Sequence, residues 1–354
     1  MIRRRPLALL LAALLAAAGA CRSDEPPLPV DEPVRRVTVY SEHDEAVVRP
    51  LLDRFTVRSG TEVVLETGAP GELAAALAAG EEIPGAGAAV FLSRDSAVLG
   101  RLAAAGRLVP LPSEVSGAVP SEMTDPKGRW VGLTARARLL AYAPERVEPA
   151  TLPVALPVLA EARYRGRLAL APRTRSFLVH MAAYRALHGP EALDRLLASL
   201  AANEPVLRDD SAAVVAAVAD GEADLGLVDH PALATARRPP VAPGAEPSLA
   251  PAAAVAPQAH LLAGSDSSGF LDLAGAAALS RDAAAFELIR FLLTPEAQAD
   301  LTRRTREYPL VAGVPLPGEG MPPLADLDPP VVDFEAVAEV MDETQAQIEK
   351  HFGP

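Results

Sequence analysis

Short β-branched runs alternate with alanine- and leucine-rich helical patterns from residue 35 onward, and this alternation restricts the fold more than any other feature. The β-rich runs are RRVTVY (35–40), VVLETG (63–68) and AAVFLS (88–93). A pattern with apolar residues on one helical side follows each run, and the second of these patterns ends at Gly80. The order β-α-β-α-β-α predicts a parallel sheet with helices on both faces.

The same kind of pattern returns in the second half of the chain. The predicted strands lie at 130–142 (one long strand or a strand pair), 167–172, 225–228 and 269–279. The predicted helices lie at 177–187, 211–221, 283–304 (broken near Pro295) and 334–352. The Pro/Ala-rich segment 238–259 is interpreted as a loop. We therefore predict an α/β protein with a ligand cleft between two lobes. Lobe 1 comprises residues 35–135 and 262–310, and lobe 2 comprises residues 136–261 and 311–354.

The first 20 residues have the layout of an export signal peptide. Three arginines precede an apolar run that is short for a membrane span, and small residues lead to Cys21. This arrangement resembles a bacterial lipoprotein cleavage box, with alanine where leucine is usual, so we expect acylation of Cys21 after cleavage. Residues 21–34 predict a tether that hangs the domain from a bacterial membrane, on its periplasmic or extracellular face.

Charge and composition exclude several classes of partner. The net charge is −13, and loss of the three leader arginines would make it −16, which argues against nucleic acid or an anionic lipid surface. Aromatic residues make up only 4% of the chain, too few for several stacking platforms for sugars or bases. Cys21 is the only cysteine, so no internal disulfide can form. We expect a monomer.

Motifs that carry enzyme chemistry are missing from the sequence. It has no G-x-S-x-G nucleophile elbow, H-E-x-x-H zinc helix, P-loop or dinucleotide fingerprint. Its six histidines show no metal-ligand spacing. The prediction is therefore a binding protein and not an enzyme.

Several stretches resemble the periplasmic ferric-binding protein family. They are VTVYSEH (37–43), FLSRDSAVLGRLAAAGRLVPLP (91–112), GRWVGLTARARLLAY (128–142), TPEAQ (294–298) and REYPLVAGV (306–314). The resemblance implies a type II periplasmic binding protein, a two-lobe clamp that closes on its ligand and delivers it to the permease of an ABC importer.

The iron ligands of that family are mostly not matched here. Its iron-binding members typically hold Fe³⁺ with two adjacent tyrosinates, helped by a histidine, a carboxylate and a small anion. His43 matches the histidine, whereas Arg94 stands at the carboxylate position and Pro231-Ala232 at the tyrosine pair. One imidazole and one arginine cannot hold a trivalent cation, so we expect no cofactor, and iron(III) is retained only as an alternative.

The remaining polar groups predict an anion site. Thr174 and Ser176 match the segment that binds the family's accompanying anion, and Arg175 lies with them at a helix start. Arg136 projects from a predicted strand, and Arg94 adds a further cation at the edge of the cleft. Each of these arginines could equally be a solvated surface charge.

Three further residues are candidate ligands with structural alternatives. Ser211 matches an anion-contact segment, although Asp210-Ser211 is also a plain helix cap. Asp229 and His230 end a buried strand and could contact a ligand or cap the turn. A metal site of His43, His230 and Asp229 would suit a softer divalent ion.

The hypothesis is therefore a lipid-anchored solute-binding protein of an ABC importer that holds a small anion: a phosphate ester, phosphonate or carboxylate. The first alternative is uptake of iron(III), or of an iron chelate whose carboxylates the arginines hold. The second is a sensor lipoprotein of the same fold.

Overall fold

The computed structural model describes residues 35–68, 71–80, 88–237, 256–262, 267–316, 323–327 and 329–354. The predicted signal peptide, Cys21 and the tether lie outside the described residues. The strands are β1 Arg36–Ser41, β2 Glu62–Thr67, β3 Ala88–Ser93, β4 Trp130–Tyr142, β5 Leu168–Leu170, β6 Val206–Leu207, β7 Leu225–Asp229, β8 Gln258–His260, β9 Leu271–Ala278 and β10 Tyr308–Pro309. The helices are α1 Glu45–Ser59, α2 Glu72–Ala79, α3 Ser96–Ala104, α4 Ser113–Ser116, α5 Arg175–His188, α6 Pro190–Ala202, α7 Ser211–Ala219, α8 His230–Arg237, α9 Ala283–Leu292, α10 Pro295–Thr305, α11 Phe334–Glu339 and α12 Met341–Phe352.

The strands follow the order β2-β1-β3-β9-β4-β7-β5-β6, with β8 and β10 also paired to β4. Strands β1, β2 and β3 are parallel, as predicted, and so are β5, β6 and β7. The expectation of a parallel sheet is nevertheless incomplete, because β9 runs antiparallel to β3, and β4 runs antiparallel to both β9 and β7. The sheet is mixed because β4 and β9 each run antiparallel to their neighbours, whereas the other main strands pair in parallel.

Strand β4 joins the two parts. Its residues 130–137 pair with β9, and its residues 138–142 pair with β7. We call the part that contains β1, β2, β3 and β9 the first sheet, and the part that contains β5, β6, β7 and β8 the second sheet. Polar residues follow β1 and β3, and β7 ends at Asp229, directly before helix α8. The lobe boundaries stay a prediction, although the change of pairing partner falls close to the predicted boundary at residue 136.

The C-terminal helices differ from the prediction. The expected single helix over 334–352 is two helices separated at Val340. Helix α11 packs closely on α3, since a Cβ on Gly100 would lie 2.1 Å from the backbone oxygen of Phe334. The Phe334 ring also contacts Trp130, with 5.6 Å between the ring centroids. Among the described residues, none of the helices is both long enough and apolar enough to cross a bilayer.

Candidate functional site

A pocket of about 320 Å³ lies between the strand ends of the two sheets. Its walls come from the turn after β3, from β4, from the first turns of α5, α7 and α8, and from the segment before β10. The lining residues are Arg94, Asp95, Arg136, Arg175, Ser176, Ser211, Asp229, Pro231, Ala232, Thr305 and Glu307. Six predicted site residues are therefore brought together: Arg94, Arg136, Arg175, Ser176, Ser211 and Asp229.

Arg136 is already paired by the protein itself. Its guanidinium contacts the carboxylate of Asp272 and lies 3.2 Å from an oxygen of Glu307. Only 11% of its side chain is exposed. Burial lowers the pKa of Arg136, but the two carboxylates outweigh burial and hold that pKa above its ordinary value. Arg136 therefore belongs to a buried ion network at the wall of the pocket.

Arg175 is the first residue of α5, beside the second sheet, and pairs across the pocket with Asp95 beside the first sheet. Its Nε donates to the Asp95 carboxylate at 2.9 Å. Asp95 is buried and is also the N-cap of α3, where its Oδ1 accepts from the backbone N–H of Val98 at 2.9 Å. A single carboxylate thus begins a helix and neutralises one pocket arginine.

Asp229 lies at the end of β7 and pairs with Arg138, its register partner on β4, at 3.1 Å. Burial raises the pKa of Asp229, but Arg138 and Arg136 together outweigh burial and hold it below its ordinary value. The hydroxyl of Ser211 accepts the backbone N–H of Asp229 at 3.3 Å. The strand-end carboxylate is consequently ionised and held in place.

Arg94 differs from the other pocket arginines. Its backbone is held on both sides, since its N–H donates to Glu42 at 3.3 Å and its carbonyl accepts from Arg136. Its side chain is exposed at the pocket, and within the described part of the chain its guanidinium makes no hydrogen bond or ion pair. Arg94 is thus the pocket arginine whose donors are free for a ligand.

Three predicted site residues do not line the pocket. Thr174 is the N-cap of α5 and accepts the N–H of Phe177 at 3.2 Å. His43 is buried behind the lining, and the Nδ1 of the fully buried His230 accepts the backbone N–H of Ala137 at 3.0 Å. His230 begins helix α8, where a turn was expected. Within the described ranges, no group of three or more His, Cys, Asp or Glu side chains is placed to hold a metal ion.

No tyrosine lines the pocket. All five tyrosines lie within the described residues, and each is at least nine-tenths buried in the core. The wall after β7 instead carries Pro231 and Ala232, the residues that stand where the resemblance implies the tyrosine pair. The pocket therefore offers guanidinium, carboxylate and hydroxyl groups, but no phenolate.

Asp229 was predicted as a site residue, but the three carboxylates that pair with the pocket arginines were not predicted from the sequence. Asp95, Asp272 and Glu307 neutralise the arginines, but they come from three distant segments. Asp95 follows Arg94 directly, and Glu307 lies within the stretch REYPLVAGV, so the local sequence of both residues contains a signal of the site. Asp272 lies inside an apolar strand pattern, where an isolated acid is itself a sign of a buried ion pair.

The buried histidines predict a loss of stability in mild acid. Burial lowers the pKa of His43 and of His230 from 6.5 to about 4, and that of His180 to about 3. The unfolded chain therefore binds more protons than the folded protein below pH 6.5, and the free energy of unfolding should fall as the pH falls from 6.5 to 4.

Urea unfolding at a series of pH values measures this slope. His43→Gln should make the slope shallower by about one proton. The control His188→Gln alters an exposed ring and should leave the slope as it is in the wild type. A wild-type stability that is flat over this range would contradict the prediction.

The chain belongs to the bacterial extracellular solute-binding protein family, whose model matches residues 87–328. Its fold is that of a type II periplasmic binding protein, as predicted. The structure of iron-bound HitA from Pseudomonas aeruginosa matches with a TM-score of 0.73 and 27% identity, over 90% of this chain and 100% of that one.

Two curated relatives are similar in sequence. The Fe(3+)-binding periplasmic protein of Serratia marcescens is 28% identical over 225 residues, which cover 64% of this chain and 63% of that protein. The major ferric iron-binding protein of Neisseria meningitidis serogroup A is 27% identical over 336 residues, which cover 93% of each chain. The predicted relationship to ferric-binding proteins is confirmed.

Proposed function

We propose that this protein is the solute-binding component of an iron(III) ABC importer and that it takes up iron as a small carboxylate chelate. The relatives named above bind ferric iron, which favours iron over the free phosphate ester or phosphonate that was the first hypothesis. The proposal places the protein in the periplasm, with the membrane permease as its partner.

The chemistry of the pocket supports a chelate over bare iron. Ferric ion is a hard acid that needs several anionic oxygen donors, and the carboxylates that line this pocket are engaged by arginines. A chelator brings its own donors to the metal and leaves outer carboxylate oxygens for recognition. The bidentate fork of arginine suits those oxygens.

The unpaired guanidinium of Arg94 carries the proposal. Arg136 and Arg175 already contact carboxylates of the protein, so neither can neutralise a ligand charge without giving up a partner. Arg94 offers its donors at no such cost. The pocket volume of about 320 Å³ lies at the low end of ligand sites and favours a compact chelate such as ferric citrate over a large siderophore.

Binding measurements on the purified protein test the proposal. Titration calorimetry and native mass spectrometry should show ferric citrate bound one to one, and citrate alone bound at least about tenfold more weakly. Ferric ion freed of its chelator should not be retained.

Two outcomes would overturn the proposal. Retention of chelator-free iron would indicate direct ligation by the protein. A rise in melting temperature with a phosphonate, together with no binding of ferric citrate, would restore the small-anion hypothesis.

A further inference from the structure

Glu42 is a buried carboxylate at the carboxyl edge of the first sheet, and it does not line the pocket. It follows β1 directly, and only 3% of the residue is exposed. Both carboxylate oxygens are used. Oε1 accepts the N–H of Gly71 at 2.7 Å, and Oε2 accepts the hydroxyl of Ser93 at 2.9 Å and the N–H of Arg94 at 3.3 Å. A single side chain thus ties the residues that follow β1 and β3 to Gly71, directly before helix α2.

Glu42 holds the turn after β3, and this turn carries Arg94. On one side of that residue the N–H is bound by Glu42, and on the other side the carbonyl is bound by Arg136. The backbone of Arg94 is therefore fixed while its guanidinium stays unpaired. With the backbone fixed, only the side-chain rotamers of Arg94 remain to be ordered when a ligand binds, and this preorganisation of the backbone increases affinity.

We propose that Glu42 is a positioning residue for ligand binding, which sets the backbone from which Arg94 reaches the outer carboxylates of an iron chelate. This inference rests on the proposed function. Glu42 acts through Arg94 and does not itself touch the ligand. Its contribution to affinity therefore depends on whether the arginine is present.

Glu42→Gln is the sharpest substitution, because it keeps the shape of the side chain and replaces one acceptor oxygen by an NH₂ donor. In the variant, the remaining carbonyl oxygen should still accept the N–H of Gly71, which is the closest of the three contacts. The NH₂ then faces Ser93 and Arg94. The serine hydroxyl can rotate to accept from it, but the Arg94 N–H cannot, so the fixed amide of Arg94 loses its acceptor.

A double-mutant cycle distinguishes positioning from a general structural role. We expect Glu42→Gln to weaken ferric citrate binding about tenfold in the wild type and less than about twofold in an Arg94→Ala background. Glu62→Gln, which removes an exposed carboxylate from the same sheet, should leave affinity unchanged in both. Equal losses in the two backgrounds, or no loss in the wild type, would overturn the inference.

Two further measurements apply if the variant does not fold or if the wild type does not bind ferric citrate. If Glu42→Gln does not fold, Ser93→Ala removes one donor from the same carboxylate and should show the same dependence on Arg94 with a smaller loss. If the wild type does not bind ferric citrate, the proposed function fails. Glu42 is then judged by hydrogen exchange at the Arg94 amide, which should be at least about tenfold faster in Glu42→Gln. An unchanged exchange rate would overturn the inference independently.

Discussion

Arg94→Ala is expected to weaken the binding of ferric citrate about 10- to 100-fold, and Arg94→Glu more than that. A hydrogen bond between charged groups contributes about 1.5–3 kcal/mol, which corresponds to this range of affinity. The charge reversal adds repulsion from the outer carboxylates of the chelate. Since the Arg94 guanidinium has no partner among the described residues, its removal leaves no protein carboxylate unpaired. We therefore expect stability to change little.

Titration calorimetry with ferric citrate measures the effect, and urea unfolding checks that the variants are folded. Arg58→Ala is the matched control, because Arg58 is also an exposed arginine but lies at the end of α1, outside the pocket lining. Arg94→Lys should retain part of the affinity, since lysine keeps the charge but lacks the bidentate fork. A loss below about threefold for Arg94→Ala would show that recognition rests on the other arginines.

Many of the elements were predictable because they leave a local signal, although helix α6 and the short strands β6, β8 and β10 were not predicted. The run AAVFLS became β3 with the same bounds, and the run 130–142 became one strand of that length. The local sequence of a strand does not show which other strands it pairs with. Nothing local to β4 shows that its first residues pair with β9 and its last with β7, and for that reason the mixed direction of the sheet was missed.

The sequence indicated which arginines belong to the candidate site. It did not indicate which carboxylates neutralise them. Arg94, Arg136 and Arg175 line one pocket because strand ends and helix starts converge there, and their role in ligand binding stays a prediction. Their partners could not be read from spacing, since Asp272 is 136 residues and Glu307 is 171 residues from Arg136 along the chain. Because these carboxylates and Asp95 already neutralise Arg136 and Arg175, the pocket can accept less anionic charge than its three arginines alone would allow.

Arg136 differs from Arg94 because its guanidinium is buried and paired with two carboxylates. Its replacement should therefore have a large effect on stability. Arg136→Met is expected to lower the free energy of unfolding by about 3–5 kcal/mol, because it removes the cation between two buried carboxylates. Asp272 and Glu307 have side chains only 7% and 6% exposed, so water cannot replace the guanidinium. Urea unfolding at pH 8 measures the loss.

Arg36→Met is the control for that loss. Arg36 pairs with Glu62 at the surface, where both side chains are about half exposed, and such pairs contribute about 0–1 kcal/mol. A cost below about 1 kcal/mol for Arg136→Met would show that the buried network is dispensable for folding.

The pH dependence identifies the cause of the Arg136 effect. Burial raises the pKa of Asp272 even with Arg136 present to lower it, so the substitution must raise this pKa further. Above the raised pKa the folded variant has to keep a buried, unpaired carboxylate charged. As the pH falls through that pKa the carboxylate takes up a proton, and the cost of the substitution declines. The difference in unfolding free energy between wild type and Arg136→Met should therefore shrink from pH 8 to pH 5. A difference that stays constant over this range would attribute the loss to packing and not to charge.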